Sequence, residues 1–66
     1  MGRNRRARLP EPAEADIESL SHDGRGVAHV GGKVVFIHGA LPGERVVFRY
    51  TGRRRQHDEG QAIDVL

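Results

Sequence analysis

The sequence contains no cysteine and no tryptophan, and it has few other aromatic residues, with two phenylalanines and one tyrosine. Without cysteine, neither a disulfide nor a cysteine-ligated metal site can stabilise the core. No apolar run approaches the roughly 20 residues that a membrane-spanning helix needs. The basic segment 1–8 is not followed by the apolar stretch of a secretion signal. The sequence therefore predicts neither membrane insertion nor secretion, and a cytoplasmic location is expected.

The charge of the chain is small in sum but uneven in distribution. The net charge is +2 with histidine neutral, and ten of the 11 basic residues are arginine. Four arginines lie within residues 1–8, and three more are consecutive at 53–55. Arginine binds phosphate through two parallel hydrogen bonds and stacks on flat rings, so the two clusters predict an anionic, planar partner. The alternative is that arginine reflects a GC-rich genome and a solvated surface.

The length and the residue pattern predict one small all-β domain. A chain of 66 residues has room for one thin core, because a fold of this size buries only about 60% of the surface that its unfolded chain exposes. Residues 1–14 contain four arginines and two prolines, which predicts a flexible basic arm. From residue 15 onward, short β-branched runs alternate with glycine and proline, which is typical of a small barrel. Five strands are predicted, over residues 15–21, 27–30, 33–38, 44–51 and 61–66.

Several details of these strands follow from the residue pattern. A bulge near Ser19 is expected to return Leu20 to the core, and Ile63 and Val65 are expected to face inward. Residues 34–37 are all apolar, which predicts either a strand covered on both faces or one with an apolar face left for a ligand. Phe48 is predicted to lie in the core, because residues 44–51 alternate between apolar and charged positions.

The connections between the strands are rich in glycine. Gly31 and Gly32 predict a tight two-residue hairpin, and Pro42 followed by Gly43 predicts a type II turn. The loop with Arg25 between two glycines permits close approach of another backbone. Residues 52–60 are polar and basic, and they are interpreted as a long loop that presents the arginine triplet.

Three segments, residues 17–28, 32–37 and 39–44, have an order and spacing that resembles a TRAM domain. The first contains the Gly-Arg-Gly loop, the second contains the apolar run, and the third contains the Pro-Gly turn. The resemblance covers residues 15–66 and implies a five-stranded, antiparallel, OB-like β-barrel that binds RNA. The chain is most similar to the N-terminal domains of bacterial 23S rRNA (uracil-5-)-methyltransferases. It departs from related sequences at His38, where proline is common, at His57, where an aromatic is common, and at Gly60, where alanine is common.

The resemblance also implies the context of the domain. In that family, an iron–sulfur cluster and an S-adenosylmethionine-dependent catalytic domain follow the barrel. The expected partners are therefore RNA, ribosomal RNA in particular, and the catalytic domain of the full-length chain, and a monomer is expected. These 66 residues are expected to hold no cofactor and no catalytic residue, and to position structured rRNA for methylation by the absent catalytic domain.

RNA binding by such barrels needs cations for phosphates and flat groups for bases. The candidates in the body of the domain are Arg25, Lys33, Phe36, Arg53, Arg54, Arg55 and His57, and those in the arm are Arg3, Arg5, Arg6 and Arg8. Phe36 has the alternative role of a core residue, and Arg25 that of an exposed turn residue. Phe48 and Tyr50 are assigned to the core.

No metal site and no catalytic group is predicted. The four histidines lack a helical i, i+4 pair and a cysteine partner, and the pair His22 and Asp23 is interpreted as part of a turn. Two alternatives to the methyltransferase module remain open. One is a free-standing small RNA-binding or RNA-chaperone protein, and the other is a barrel that contacts another protein and uses its arginines only for solvation.

Overall fold

A computed structural model describes residues 9–66, and this part of the chain consists of strands and turns. The strands are β1 (Ala13–Asp16), β2 (Ser19–Leu20), β3 (Gly26–Val30), β4 (Lys33–His38), β5 (Arg45–Arg53) and β6 (His57–Val65). Arg3, Arg5, Arg6 and Arg8, the basic residues of the expected arm, lie outside the described residues. Between residues 9 and 66 there is no helix of the length and apolar character that spanning a bilayer requires.

All six strands belong to one sheet, in the order β1-β5-β6-β4-β3-β2. Neighbouring strands are antiparallel, except for β4 and β6, which are parallel. The two outer strands, β1 and β2, are consecutive in the chain. Between them, the Ile17 amide donates to the Glu44 carbonyl, and the Glu18 amide donates to the Val27 carbonyl, each at 2.8 Å. This segment therefore joins both ends of the sheet, and the sheet curls into a barrel-like form.

The structure confirms the expected all-β, OB-like architecture, with six strands instead of five. The sheet was expected to be antiparallel throughout, but the pair β4 and β6 is parallel. The sixth strand arises because the segment predicted as residues 15–21 is divided into β1 and β2. β1 begins at Ala13, which lies opposite Phe48 in β5. The strand predicted over residues 33–38 is β4, and the hairpin before it is confirmed, since Gly31 and Gly32 have φ angles of 60° and 82°. Positive φ at both central residues is the mark of the turn type that suits a tight hairpin.

The core lies between the curled strands and is built mainly by β4 and β5. Its largest fully buried side chains are Val35, Ile37, Val46 and Phe48. The alternation predicted along β5 is confirmed, because Val46, Phe48 and Tyr50 are all buried. The ring of Tyr50 contacts that of Phe48 edge to face, with centroids 4.9 Å apart. An arrangement of this kind contributes about 0.5–1.5 kcal/mol beyond the area that it buries.

Gly60 lies in the middle of β6 against the ring of Phe48. A Cβ atom at Gly60 would lie 2.7 Å from Cδ2 of Phe48 and 3.0 Å from the carbonyl oxygen of Arg49. Both distances are shorter than ordinary van der Waals contact between heavy atoms. The phenylalanine ring therefore occupies the space that a side chain at position 60 would need.

The long loop predicted for residues 52–60 is wrong. β5 continues to Arg53 and β6 begins at His57, so only a short turn separates the two strands. In the pairing of β5 with β6, Gly52 lies opposite Glu59, and Arg53 lies opposite Asp58. Polar composition was a poor guide here because strand preference depends on cross-strand partners, and an arginine opposite an aspartate is a favourable pair.

Three apolar side chains that were predicted to face the core are exposed. They are Leu20, Ile63 and Val65. The pairing of β5 with β6 is irregular between Val47 and Phe48, where Phe48 lies opposite Ala62 and Val47 lies opposite Asp64. Ile63 therefore has no opposite residue, and the alternation that placed it inward is interrupted. A register shift of one residue is enough to expose Ile63, since it moves a side chain from one face of a sheet to the other.

Candidate nucleic-acid interface

The outer face of β3, β4 and β6 collects flat and cationic groups. Paired residues of neighbouring strands share a face, and Phe36 of β4 lies opposite Val27 of β3 and Glu59 of β6. Val35 and Ile37 are buried in the core, whereas Phe36 is half-buried. Of the two interpretations of the apolar run, the structure thus supports the second, in which one face of β4 packs in the core and the other lies at the surface.

Arg25 and His57 contact the ring of Phe36. The guanidinium carbon of Arg25 lies 4.8 Å from the ring centroid, within the range of a cation–π contact. The imidazole of His57 meets the same ring nearly edge-on, with centroids 5.2 Å apart and planes at 73°. We call these three side chains the Arg25–Phe36–His57 layer. Because Arg25 lies over the ring, the Phe36 face that was expected to stack on a base is covered by a guanidinium.

The loop before β3 fixes the backbone of Arg25. The Ser21 amide donates to the Arg25 carbonyl at 2.8 Å, and the Arg25 amide donates to Oγ of Ser21 at 3.0 Å. The hydroxyl of Ser21 also donates to the carboxylate of Asp23. Hydrogen bonds from Ser21 and Arg25 hold the pKa of Asp23 below its ordinary value. Asp23 is therefore an acceptor that organises the turn, as its position next to glycine predicted.

The side chain of Arg25 is held by two carboxylates. Its Nε lies 3.1 Å from Oδ2 of Asp23, and its Nη1 lies 3.9 Å from Oε2 of Glu59. Glu59 also lies 3.6 Å from Nη2 of Arg54 and 3.4 Å from Nε2 of His57. Glu59 is thus the shared acidic neighbour of three candidate residues. Sequence reasoning missed it, because only the register of β6 beside β4 places it there.

Asp58 forms a second cluster at the inner side of the same strand. It is only 3% exposed, and its Oδ1 accepts from Nε of Arg53 at 2.8 Å and from Nζ of Lys33 at 2.9 Å. The same Lys33 ammonium donates to the Arg54 carbonyl at 2.8 Å. Burial raises the pKa of Asp58, but hydrogen bonds from Lys33 and Arg53 outweigh burial, so the net pKa is lowered. Two candidate cations therefore neutralise a buried acid.

The members of the arginine triplet differ in their surroundings. Arg53 belongs to β5, and its guanidinium carbon lies 5.7 Å from the centroid of Tyr50. Arg54 and Arg55 lie in the turn and are exposed. Within the described range 9–66, Arg55 makes no ion pair. Arg53 and Arg54 do pair with acidic residues, but their side chains remain 48% and 60% exposed.

The candidate residues thus form two adjoining clusters joined by Arg54. One surrounds Glu59 and contains the Arg25–Phe36–His57 layer, and the other surrounds Asp58 and contains Lys33 and Arg53. The described residues contain no group of three or more histidine, cysteine, aspartate or glutamate side chains placed to hold a metal ion. The arrangement offers cations in a flat, accessible surface.

Comparison with known proteins gives a consistent result. The sequence model of a family described as the TRAM domain matches residues 11–63. The chain is 61% identical over 56 residues to the 23S rRNA (uracil(1939)-C(5))-methyltransferase RlmD of Nitrosococcus oceani, which covers 85% of this chain and 12% of that protein. It is 56% identical over 63 residues to the RlmD of Alcanivorax borkumensis, which covers 94% of this chain and 14% of that protein. The chain therefore spans a small part of the length of these curated relatives.

A solved structure shares the fold. It is the solution structure of a conserved protein of Methanococcus maripaludis, with a TM-score of 0.77 and 23% sequence identity. The superposition covers 91% of this chain and 86% of that one. At this level of identity the likeness concerns the fold alone.

Proposed function

This chain belongs to the TRAM domain family, and on that premise we propose that it is the RNA-binding module of a 23S rRNA (uracil-5-)-methyltransferase. In this proposal the module holds structured rRNA while a catalytic domain elsewhere in the protein methylates the base. The relatives that bear this enzyme name support the proposal. The observation that carries it is the surface formed by the Arg25–Phe36–His57 layer next to the exposed arginines of the turn.

The two kinds of group that RNA binding requires are next to each other on this surface. We assign phosphate contact to Arg54 and Arg55, because both are exposed and Arg55 makes no ion pair among residues 9–66. Arg53 and Lys33 contribute less, since Asp58 neutralises part of their charge. The arginines at positions 3, 5, 6 and 8 remain part of the proposal as additional phosphate contacts. Such contacts give affinity that falls with salt and little sequence discrimination.

The chemistry of methylation belongs to the remainder of the proposed enzyme. S-adenosylmethionine would supply the methyl group there, and the iron–sulfur cluster would be held there by cysteine thiolates. This chain does not fit such a cluster, because it has no cysteine. We assign no step of the reaction to residues 9–66, and we propose that they contact rRNA and the catalytic domain as a cytoplasmic, monomeric unit. A free-standing RNA-binding protein is the alternative, and a reading frame without a cysteine-rich segment after residue 66 would favour it.

Titration of the 66-residue chain with a fluorescently labelled 23S rRNA hairpin, at two salt concentrations, tests RNA binding. We expect weak binding, because one small module makes few contacts. Replacing Arg54 and Arg55 with alanine should weaken binding about tenfold, and it should reduce the slope of log K against log salt by about 1.4–1.8, from about 0.7–0.9 for each lost phosphate contact.

Two controls make this measurement specific. Arg54→Lys with Arg55→Lys keeps both charges, so it should retain most of the affinity. Arg45→Ala removes a positive charge from the other end of β5, where Arg45 is paired with Glu14 and Asp16, and it should change the affinity little. The proposal is wrong if the wild-type chain does not bind RNA, or if the double alanine variant binds as tightly and with the same salt dependence.

A further inference from the structure

We propose that the guanidinium of Arg25 is the surface on which an unpaired RNA base stacks, and that this face therefore takes a single-stranded segment and not a duplex. The inference rests on the proposed RNA-binding function and identifies the part of the RNA that this site recognises. Its basis is the position of the partly exposed Arg25 over the ring of Phe36, together with the two carboxylates that lie beside its nitrogens.

The layer provides a flat group with a solid support. Arg25 lies over the Phe36 ring at 4.8 Å, and its side chain is 22% exposed, so part of it remains accessible to a ligand. Planar guanidinium groups stack on bases in RNA complexes, as aromatic rings do. A base that approaches this face would meet the guanidinium before the ring. The two flat groups would then form consecutive layers beneath the base.

The surroundings of Arg25 favour a base over a phosphate. Asp23 and Glu59 lie 3.1 Å and 3.9 Å from its nitrogens and reduce its attraction for another anion. A phosphate that approached the same guanidinium would be repelled by both carboxylates. The flat surface of the group is not affected by these partners, which contact nitrogens at its edge. Stacking is therefore the interaction that this arginine retains.

The same contacts fix Arg25 before RNA arrives. Its backbone is held by hydrogen bonds to Ser21, and its side chain is held by Asp23, Glu59 and Phe36. Arginine has a large side-chain entropy, and ordering such a side chain on binding costs affinity. In this structure that ordering is already achieved on folding. A preformed stacking surface of this kind suits the weak, single-module binding that we expect.

The geometry restricts the ligand to RNA with an accessible base. The bases of an RNA duplex are stacked on each other, and the deep, narrow major groove of the A-form helix keeps side chains from their edges. A loop, a bulge or a strand end offers an unstacked base. The surface around Phe36 is a strand face with half-buried neighbours at Val27 and Val34, and such a flat area suits a splayed base.

The test is a comparison of Arg25→Lys with the wild-type chain. Lysine keeps the positive charge and removes the plane, so a phosphate contact would survive the change and a stacking contact would not. The probe is a single-stranded RNA oligonucleotide that contains 2-aminopurine, whose fluorescence is quenched when the base stacks. We expect wild-type to quench the probe on binding, and Arg25→Lys to lose the quenching and about fivefold or more in affinity, with an unchanged salt slope.

Two further measurements keep the test decisive. A fully paired duplex of the same sequence should bind wild-type at least about fivefold more weakly, the factor expected for the loss of the base contact. If thermal melting shows that Arg25→Lys is unfolded, Glu59→Gln replaces it. This variant removes one of the carboxylates beside Arg25, so the guanidinium is less firmly positioned, although the net positive charge of the chain rises. If Arg25 acts by stacking, the probe should be quenched less at saturation than with wild-type.

The outcomes separate this inference from the proposed function. If wild-type binds RNA and Arg25→Lys quenches the probe and binds it equally well, the stacking role is overturned while the proposed function stands. Equal affinity for the duplex likewise overturns it. If wild-type binds neither the single-stranded oligonucleotide nor the duplex, the proposed function itself is contradicted.

Discussion

Replacing Asp58 with alanine is expected to lower the free energy of unfolding by about 2–3 kcal/mol. Asp58 is 3% exposed, and its carboxylate accepts from both Lys33 and Arg53. Its removal leaves the Lys33 and Arg53 cations without their acceptor. Both of these side chains are partly exposed to solvent, which limits the loss of stability. A domain of this length has a total stability of about 3–10 kcal/mol, so the change removes a large fraction of it.

Urea denaturation followed by circular dichroism measures this effect. Asp64→Ala is the matched control, because Asp64 lies in the same strand and is exposed. The control should change stability by less than about 0.5 kcal/mol, which is usual for surface substitutions. Equal unfolding midpoints for the two variants would contradict the structural role of Asp58.

The same residue predicts a dependence of stability on pH. The folded pKa of Asp58 lies below its ordinary value of 3.8, so the charged form stabilises the fold above pH 3.8. This contribution is lost as pH falls through the folded pKa, because the folded protein must then bind the proton that the unfolded chain already carries. Asp23, an exposed residue, also has a lowered pKa, so the decisive comparison is between variants. The difference in stability between wild-type and Asp58→Asn should shrink below pH 3.8, and a constant difference would refute this account.

Gly60→Ala is expected to lower the free energy of unfolding by about 1–3 kcal/mol, the usual cost of overpacking. The added methyl group would lie 2.7 Å from the ring of Phe48 and 3.0 Å from the carbonyl oxygen of Arg49. The ring is fully buried, and Tyr50 packs against it, so it has little room to move.

A double-mutant cycle tests whether the ring is responsible. In a Phe48→Val background the ring atoms are gone, so Gly60→Ala should cost close to nothing or stabilise the chain by filling space. Both steps are measured by urea denaturation, at a temperature where Phe48→Val is folded. The same cost of Gly60→Ala in both backgrounds would show that the Arg49 carbonyl, and not the ring, opposes the methyl group.

Two of the acidic residues of β6, Asp58 and Glu59, give neighbouring cations different roles. Asp58 faces inward and stabilises the fold through Lys33 and Arg53, whereas Glu59 faces outward and holds Arg25 beside Phe36. A cation held by a carboxylate loses part of its attraction for phosphate and gains a fixed position. The domain therefore separates exposed arginines that are suited to phosphate from an arginine that is suited to a base.

Much of the fold was accessible from the sequence. The bounds of β4 and the hairpin before it follow from an apolar run next to Gly31 and Gly32. The buried face of β5 follows from strict alternation around Phe48. These features depend on a few neighbouring residues and on local geometry. The family resemblance rested on the same short segments, and the TRAM match over residues 11–63 confirms it.

The errors occurred where distant strands decide the outcome. Residues 52–60 read as a loop because they are polar, yet the pairing of Arg53 with Asp58 extends both strands. Ile63 was expected inside, but an irregular register next to Phe48 leaves it exposed. Leu20 was expected inside through a bulge, but it lies in the separate strand β2 and is exposed. None of these features is visible in local periodicity.

The sequence by itself determined the class of the domain, its glycine turns, the buried side of β5 and the residue types of its candidate site, because these depend on local conformation and on alternation along one strand. Only the tertiary structure decided which charges meet. It placed β6 parallel to β4, which brought Glu59 to Arg25 and Asp58 to Lys33. Electrostatic partners are set by separation in space, and the order of residues along the chain does not specify that separation before the sheet has closed.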